Sequence, residues 1–163
     1  MQIENLYTIY KQYPSISTDT RNIIQDSLFF ALKGANFNGN EFADQALATG
    51  AQYAIIDEEI YKKGDNYILV DDVLTTLQHL ATFHRQQLSI PVIGITGTNG
   101  KTTSKELLYA VLSQKYKTFA TKGNLNNHIG VPLSLLFIDD SYELAIIEMG
   151  ANHVGEIAFL SNI

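Results

Sequence analysis

Hydrophobic positions recur along the first half of the chain at two different spacings, which predict a mixture of helices and strands. Apolar residues repeat at a helical interval from Ile3 to Tyr10, and again in a longer helix from Asp71 or Asp72 to about Gln87. Glu41 to Thr49 forms a further predicted helix, which Gly50 closes. Short apolar runs bounded by polar or glycine residues predict buried strands over 28–32, 53–56 and 67–70.

The pattern changes after Leu88-Ser89-Ile90-Pro91, where proline biases the preceding residue toward an extended backbone. We place a boundary near residue 89, with one domain over 1–88 and a second over 89–163. In the second domain, strands predicted over 92–96, 117–121 and 143–148 alternate with helices over 102–114, 132–138 and 155–161. Strict alternation is typical of a parallel, doubly wound sheet.

The predicted fold class is therefore α/β, with a small mixed α/β N-terminal domain followed by the start of a mainly parallel-sheet domain. A sheet of two or three strands would leave an exposed edge and an uncovered face. The chain also stops at Ser161-Asn162-Ile163, inside an apparent helix. We therefore expect the chain to be the N-terminal part of a longer protein, with its second domain incomplete.

A glycine-rich turn joins the first strand of the second domain to its first helix and reads Gly94-Ile95-Thr96-Gly97-Thr98-Asn99-Gly100-Lys101-Thr102-Thr103. Glycines let the backbone approach a polyphosphate, and the helix N-terminus favours negative charge. Lys101 is predicted to reach the β- and γ-phosphates, and the Thr102 hydroxyl to bind Mg²⁺. An ordinary strand–helix turn is the alternative, but the two threonines after the lysine favour a nucleoside triphosphate site.

Composition limits the remaining possibilities. The net charge of −6 gives no basic footprint for nucleic acid, so phosphate binding depends on a local site. The chain has no cysteine, which excludes disulfides and thiolate metal sites. The sequence has neither a signal-peptide pattern at Met1 nor an apolar run of spanning length. We expect a cytoplasmic monomer without membrane insertion.

Two further segments add polar groups near the predicted loop. Glu148 ends an apolar strand, and an acid at the end of a strand beside a phosphate-binding loop holds Mg²⁺ in many nucleotide-binding proteins. A solvated glutamate at a strand end is the alternative. The loop over 121–132 carries Asn124, Asn126 and Asn127, whose amides supply donors and acceptors but also suit turns.

Three segments, taken together, resemble the Mur ligases of peptidoglycan synthesis in order and spacing. They are Gly97-Thr98-Asn99-Gly100-Lys101-Thr102-Thr103, Asn124-Leu125-Asn126-Asn127-His128-Ile129-Gly130-Val131-Pro132 and Ile147-Glu148-Met149-Gly150-Ala151-Asn152-His153-Val154-Gly155-Glu156-Ile157. In the N-terminal part, Ser17–Arg21, Ser27–Gly34 and Gly50-Ala51 resemble the domain of this family that holds a uridine nucleotide.

The resemblance implies a reaction and a set of site residues. ATP, with Mg²⁺, would phosphorylate a substrate carboxylate, and an amine would displace phosphate from the acyl phosphate. The implied substrates are UDP-N-acetylmuramoyl tripeptide and D-alanyl-D-alanine. The resemblance implies catalytic roles for Lys101, Asn126, Asn127 and His153. The residues implied to bind the nucleotide are Gly97, Thr98, Asn99, Gly100, Lys101, Thr102 and Thr103, and those implied to bind the metal are Thr102 and Glu148. The residues implied to bind the UDP substrate are Asp19, Thr20, Arg21 and Lys33.

The sequence departs from the family pattern at two points. Asp19-Thr20-Arg21 stands where the family often has Asp-Ser-Arg, and Asn38-Gly39-Asn40 where it often has Asp-Gly-His. Three alternatives stay open: another Mur-type ligase that adds an amino acid, a different phosphate-loop enzyme such as a kinase or a folate-polyglutamate type ligase, and a non-catalytic nucleotide-sugar binding module. If the ligase interpretation is correct, the resemblance places the remaining catalytic parts beyond Ile163, and we expect these 163 residues alone not to catalyse ligation.

Overall fold

The computed structural model describes all residues from Met1 to Ile163, which form two compact units, Met1–Leu80 and Ala81–Ile163. The first unit contains, in chain order, α1 (Ile3–Gln12), β1 (Ile16–Ser17), β2 (Ser27–Phe30), β3 (Lys33–Gly34), β4 (Phe37–Asn38), α2 (Ala43–Thr49), β5 (Ala51–Ile56), β6 (Tyr67–Leu69) and the first part of α3 (Val73–Gln87). The division between the units falls inside α3.

A four-stranded parallel sheet forms the centre of the first unit, with strand order β1-β2-β5-β6. The inner strands β2 and β5 are almost continuously apolar because helices and loops cover both faces of such a sheet. Leu28, Phe29 and Phe30 are fully buried. The predicted strand over 28–32 ends at Phe30, because the Leu32 N–H turns back to the Phe30 carbonyl, 2.8 Å away, and leaves the ladder.

The helix boundaries in the first unit follow local hydrogen bonds. Asp72 begins α3 by accepting the Thr75 N–H at 2.7 Å, as the sequence predicts. The helix predicted from Glu41 begins instead at Ala43, because Gly39–Phe42 form a 3-10 turn that Asn38 caps. Gly50 ends α2 with a φ of 126°, which confirms the predicted glycine stop.

The second unit contains the rest of α3, then β7 (Val92–Ile95), α4 (Lys101–Leu112), β8 (Thr118–Ala120), α5 (Gly130–Leu136), β9 (Leu144–Glu148) and α6 (Glu156–Leu160). The three strands are parallel, in the order β7-β9-β8, which confirms the predicted parallel sheet. Because β9 is central, the loops after β7 and β8 flank the end of β9 at one edge of the sheet.

Helix α5 begins two residues before the predicted start at Pro132. The Asn127 side-chain oxygen accepts the N–H groups of Ile129 and Gly130, at 3.1 and 2.8 Å, and so caps the helix upstream of the proline. None of the helices combines the length and the apolar character that crossing a membrane requires.

A substitution at Gly39 can test the packing of the first unit. A Cβ at Gly39 would lie 2.4 Å from the Leu32 carbonyl oxygen and 2.5 Å from the Ala31 carbonyl carbon, both backbone atoms. We expect Gly39→Ala to lower the free energy of unfolding by about 1–3 kcal/mol, as overpacking does, in urea denaturation. Gly64→Ala is the matched control, because nothing lies within 4 Å of its Cβ. Equal stability of the two variants would contradict the packing at Gly39.

Candidate functional site

The loop between β7 and α4 has the backbone geometry of a phosphate-binding turn. Gly97 and Gly100 have φ angles of 149° and 78°, which other residues rarely adopt. A Cβ at Gly94 would lie 2.8 Å from the Met149 Cε, so a larger residue there would displace the end of the methionine side chain. Lys101 folds back over the loop and donates from Nζ to the Gly97 carbonyl at 2.8 Å. The lysine is therefore held above the turn.

Other residues predicted to bind the nucleotide are distributed around this turn. Thr98 lines a cavity of about 370 Å³ with Thr96, Gly97, Lys101, Ala151 and Ile157. Asn99 lies in the loop just before Gly100, and Thr103 is exposed in the first turn of α4. The structure thus gathers the predicted residues 97–103 around the N-terminus of α4, where backbone N–H groups without helical partners favour an anion.

The buried carboxylate of Glu148, at the end of β9, joins the three predicted segments. Its Oε1 accepts the Thr102 hydroxyl at 3.2 Å and the Asn126 amide at 3.0 Å. Its backbone N–H donates to the Thr121 hydroxyl at 2.9 Å. Thr102 belongs to the glycine-rich segment 94–103, which we call the phosphate loop. Asn126 belongs to the loop over 121–132, which we call the asparagine loop, and Thr121 follows the end of β8. The carboxylate is therefore the point at which these segments meet.

The oxygen atoms at Glu148 fit a magnesium ion. Mg²⁺ prefers carboxylate and hydroxyl oxygens and keeps several waters, so one or two protein ligands suffice. Oε1 of Glu148 lies 3.2 Å from the Thr102 hydroxyl, so one metal ion can be bound by both oxygens. No group of three or more acidic, histidine or cysteine side chains forms a self-contained metal cage. The arrangement therefore suits a metal shared with a phosphate ligand.

The two predicted asparagines have different contacts. Asn126 is fixed between Glu148 and the Gly150 N–H, which donates to the Asn126 carbonyl at 2.7 Å. Asn127 instead caps α5 with its side-chain oxygen. Asn127 also lines a cavity of about 290 Å³ together with His128, Asn152, His153, Glu156 and Phe159. Asn126 therefore contacts the Glu148 carboxylate, whereas its neighbour Asn127 lines the adjacent cavity.

His153 lies at this cavity, and a local hydrogen-bond pattern holds its loop. The Glu156 carboxylate accepts the backbone N–H groups of Asn152 and His153, at 2.7 and 3.1 Å. These backbone hydrogen bonds hold the pKa of Glu156 below its usual value. The side chains that hydrogen-bond to the Glu148 carboxylate are those of Thr102 and Asn126, so the structure places His153 beside that cluster rather than in it.

The residues predicted to hold the UDP substrate lie in the first unit and fall into two places. Asp19 and Arg21 form a two-pronged ion pair around Thr20, and the hydrogen bonds from Arg21 lower the pKa of Asp19 to about 2. Lys33 pairs with Asp57 at 3.0 Å and with Glu58 at 3.7 Å. The hydrogen bond to Asp57 raises the pKa of Lys33, which therefore stays charged.

The sequence predicted no role for Lys105, Thr121, Asn40 or Asp57, although Asn40 lies in one of the two departures from the family pattern. Thr121 follows a predicted strand end, as Glu148 does, and that position could have indicated it. Asn40 donates to Asp57 at 2.8 Å and accepts the Asp57 N–H at 3.0 Å, so it orients the carboxylate that Lys33 contacts. Lys105 has no local signal, because its burial depends on how α4 packs against β8 and β9.

Comparison with known proteins agrees with this geometry. The family model described as "Mur ligase middle domain" matches residues 95–163, and that described as "Mur ligase family, catalytic domain" matches residues 12–85. Together the two matches take up most of the chain. The chain belongs to the Mur ligase family.

Named members of the Mur ligase family are similar to this chain over about a third of their own length. The UDP-N-acetylmuramoyl-tripeptide–D-alanyl-D-alanine ligase of Bacillus subtilis is 45% identical over 91% of this chain and 33% of its own length. A crystal structure of MurF from Acinetobacter baumannii has a TM-score of 0.82 at 39% identity, covering 90% of this chain and 32% of that one. The chain therefore spans about a third of the length of the relatives it matches.

A third relative was solved as a complex with a nucleotide. The MurF ligase of Thermotoga maritima, solved in complex with ADP, has a TM-score of 0.80 at 36% identity and covers 90% of this chain and 34% of that one. The α/β fold with parallel sheets is thus that of MurF structures over the matched third.

The cap of α5 gives a prediction for stability. Asn127→Ala removes an acceptor for two helix N–H groups, so we expect the free energy of unfolding to fall by roughly 0.5–2 kcal/mol. Asn127→Asp keeps a capping oxygen and is expected to lose much less. Urea denaturation of both variants measures the difference, and equal losses would argue against the cap.

The hydrogen bonds at Glu156 predict how the stability of its loop depends on pH. Because the folded-state pKa of Glu156 lies below the unfolded value, its stabilising effect is complete above the unfolded pKa and is lost as the pH falls through the folded pKa. We expect the NMR amide shifts of Asn152 and His153 to titrate at low pH, with a midpoint below the usual glutamate value. Glu156→Gln keeps an acceptor and should remove this titration. A midpoint at the usual glutamate value would contradict the assignment.

Proposed function

We propose that this chain provides the phosphate-binding and UDP-substrate-binding parts of an ATP-dependent amide-bond ligase. The whole ligase would add D-alanyl-D-alanine to UDP-N-acetylmuramoyl tripeptide in peptidoglycan synthesis. The meeting of Thr102, Asn126 and Glu148 beside the glycine-rich loop carries the proposal, because it pairs a polyphosphate turn with oxygen ligands for Mg²⁺. The printed names of the relatives in Bacillus subtilis and Escherichia coli support the choice of substrates.

The proposed reaction has two steps. A carboxylate oxygen of the tripeptide attacks the γ-phosphorus of ATP, the bond to the β-phosphate oxygen breaks, and ADP leaves. The amine of D-alanyl-D-alanine then attacks the acyl carbon, a C–N bond forms, and the C–O bond breaks so that phosphate leaves with its electron pair. The amine loses one proton in this step. Phosphoryl transfer of this kind depends mainly on positioning and on stabilising charge.

The residues of the second unit would supply that positioning. Lys101 would exchange its contact with the Gly97 carbonyl for phosphate oxygens, while the N–H groups of residues 97–103 surround the phosphates. Thr102 and Glu148 would hold Mg²⁺, which neutralises charge on the phosphates when bound. Asn126 would keep the Glu148 carboxylate in place, and Asn127 and His153 would face the substrate from the adjacent cavity.

The first unit would hold the UDP substrate. We assign this role to residues 1–88, with Asp19, Thr20, Arg21 and Lys33 as the candidate contacts. Arg21 has an 85% exposed side chain, so a phosphate could reach its guanidinium without disturbing the fold. Lys33 is 43% exposed and keeps its charge in contact with Asp57. We place the protein in the cytoplasm, where ATP is available, and propose that it acts as a monomer.

Similarity favours this ligase over other members of the family. The relatives named for the tripeptide substrate are 36–45% identical to this chain. By contrast, a structure titled as the ligase for 2,6-diaminopimelate is 22% identical with a TM-score of 0.53, which reflects the fold alone. The remaining alternatives, a folate-polyglutamate type ligase and a non-catalytic nucleotide-sugar module, are separated by binding experiments.

The nucleotide site can be tested with the chain itself. Calorimetry is expected to show binding of ADP with Mg²⁺, and Lys101→Met to weaken it about 10- to 100-fold, because a charge-assisted hydrogen bond contributes about 1.5–3 kcal/mol. Lys115→Met is the control, since Lys115 is exposed and lies over the Tyr116 ring, away from the loop. Equal affinity in Lys101→Met and wild type would contradict the assigned phosphate site.

The UDP substrate separates the remaining alternatives. Binding of UDP-N-acetylmuramoyl tripeptide supports the ligase, and its absence would favour another phosphate-loop enzyme. If the substrate binds but a protein of full family length forms no amide from ATP and D-alanyl-D-alanine, the non-catalytic module is favoured.

A further inference from the structure

Lys105 is the one buried residue of α4, and the proposed mechanism does not use it. Its side chain is 2% exposed, which is rare for a lysine unless the charge is paired. Its Nζ donates to the Thr121 carbonyl at 2.8 Å and forms an ion pair with Glu106 at 3.0 Å. The third neighbour is Oε2 of Glu148 at 3.9 Å. Nζ therefore donates to one carbonyl and lies within ion-pair distance of two carboxylates.

Lys105 and Glu148 form a buried pair of opposite charges. Both side chains are 2% exposed, and Glu148 Oε2 has no hydrogen-bond partner, so its ion pair with Lys105 at 3.9 Å is the contact that offsets its charge. An isolated buried carboxylate is costly, and removing one partner of such a pair is more harmful than replacing both with neutral groups. The ammonium group is therefore the positive charge that offsets burial of Oε2.

The geometry divides the two oxygens of Glu148 between two tasks. Oε1 faces Thr102 and Asn126 at the nucleotide loop, whereas Oε2 faces Lys105 behind it. Lys105 also contacts the Thr121 carbonyl, while the Thr121 hydroxyl accepts the Glu148 N–H. One ammonium group thus connects α4, the end of β8 and the end of β9.

We propose that Lys105 is a positioning residue that holds the Glu148 carboxylate in the orientation required to bind Mg²⁺ with Thr102. This inference rests on the proposed function, because it concerns the same nucleotide site. The ammonium group of Lys105 donates to the Thr121 carbonyl and pairs with Glu106 and Glu148, and none of its contacts is with the phosphate loop. Its effect is therefore expected on the metal dependence of nucleotide binding rather than on nucleotide binding itself.

The test measures ADP binding by the chain across a Mg²⁺ titration and in EDTA. For Lys105→Met we expect the Mg²⁺ concentration at half-effect to rise about 10- to 100-fold, as when a group supporting a metal ligand is lost. ADP affinity in EDTA should stay within about twofold of wild type, because the loop itself is unchanged. Lys115→Met is the matched control and should leave both quantities unchanged.

The two proposals fail in different ways. A wild-type chain whose ADP affinity does not respond to Mg²⁺ contradicts the metal site, and with it the role of Lys105. If wild type responds and Lys105→Met responds at the same Mg²⁺ concentration, only the role of Lys105 is wrong. Equal loss of ADP binding in Mg²⁺ and in EDTA would show a merely structural role and also overturn the inference.

A double variant keeps the test valid if Lys105→Met does not fold. Lys105→Met with Glu148→Gln removes both buried charges, so we expect a higher thermal unfolding midpoint than in Lys105→Met alone. Its Mg²⁺ dependence should equal that of Glu148→Gln, because Lys105 acts through Glu148. A double variant no more stable than Lys105→Met, or with a further loss of Mg²⁺ dependence beyond Glu148→Gln, would contradict the proposal.

Discussion

Burial of the Glu148 carboxylate at the carboxyl end of the central strand β9 is the constraint on which the second unit depends. A charged group there requires partners, and the chain supplies them from Thr102, Asn126 and Lys105. Thr102 and Asn126 contact Oε1 and Lys105 contacts Oε2, so the phosphate loop, the loop over 121–132 and the buried side of α4 must all be positioned correctly against the end of β9. The same contacts that offset the cost of burial also fix the geometry of the candidate metal site.

The sequence predicted the parts of this site that have a local signature. A glycine-rich turn ending in Lys101-Thr102 and an acid closing an apolar strand are both visible without any tertiary information. Lys105 was not predicted, because its burial depends on how α4 rotates against β8 and β9. The start of α5 was misplaced for a related reason: Pro132 is a visible helix signal, whereas the Asn127 cap depends on the conformation of the loop.

In the first unit, the departure at Asn38-Gly39-Asn40 has a structural explanation. The Asn40 amide donates to the Asp57 carboxylate and accepts the Asp57 N–H, so a neutral side chain satisfies both a donor and an acceptor. Asn38 donates to Glu58 at 3.2 Å in the same cluster. Lys33 thereby contacts two oriented carboxylates. These ion pairs connect Lys33 in β3 to the residues that follow β5.

Charge at the candidate site also explains how an acidic chain could hold a polyphosphate. With a net charge of −6, no long-range field attracts the ligand, and Glu148 adds a negative charge beside the loop. Lys105 offsets that charge through Oε2, whereas Oε1 is the oxygen that contacts Thr102 of the loop. Lys101 and the loop N–H groups therefore face the phosphates almost alone. A divalent cation between Glu148 and the phosphates would change repulsion into attraction, so we expect the binding of nucleotide and of Mg²⁺ to be coupled.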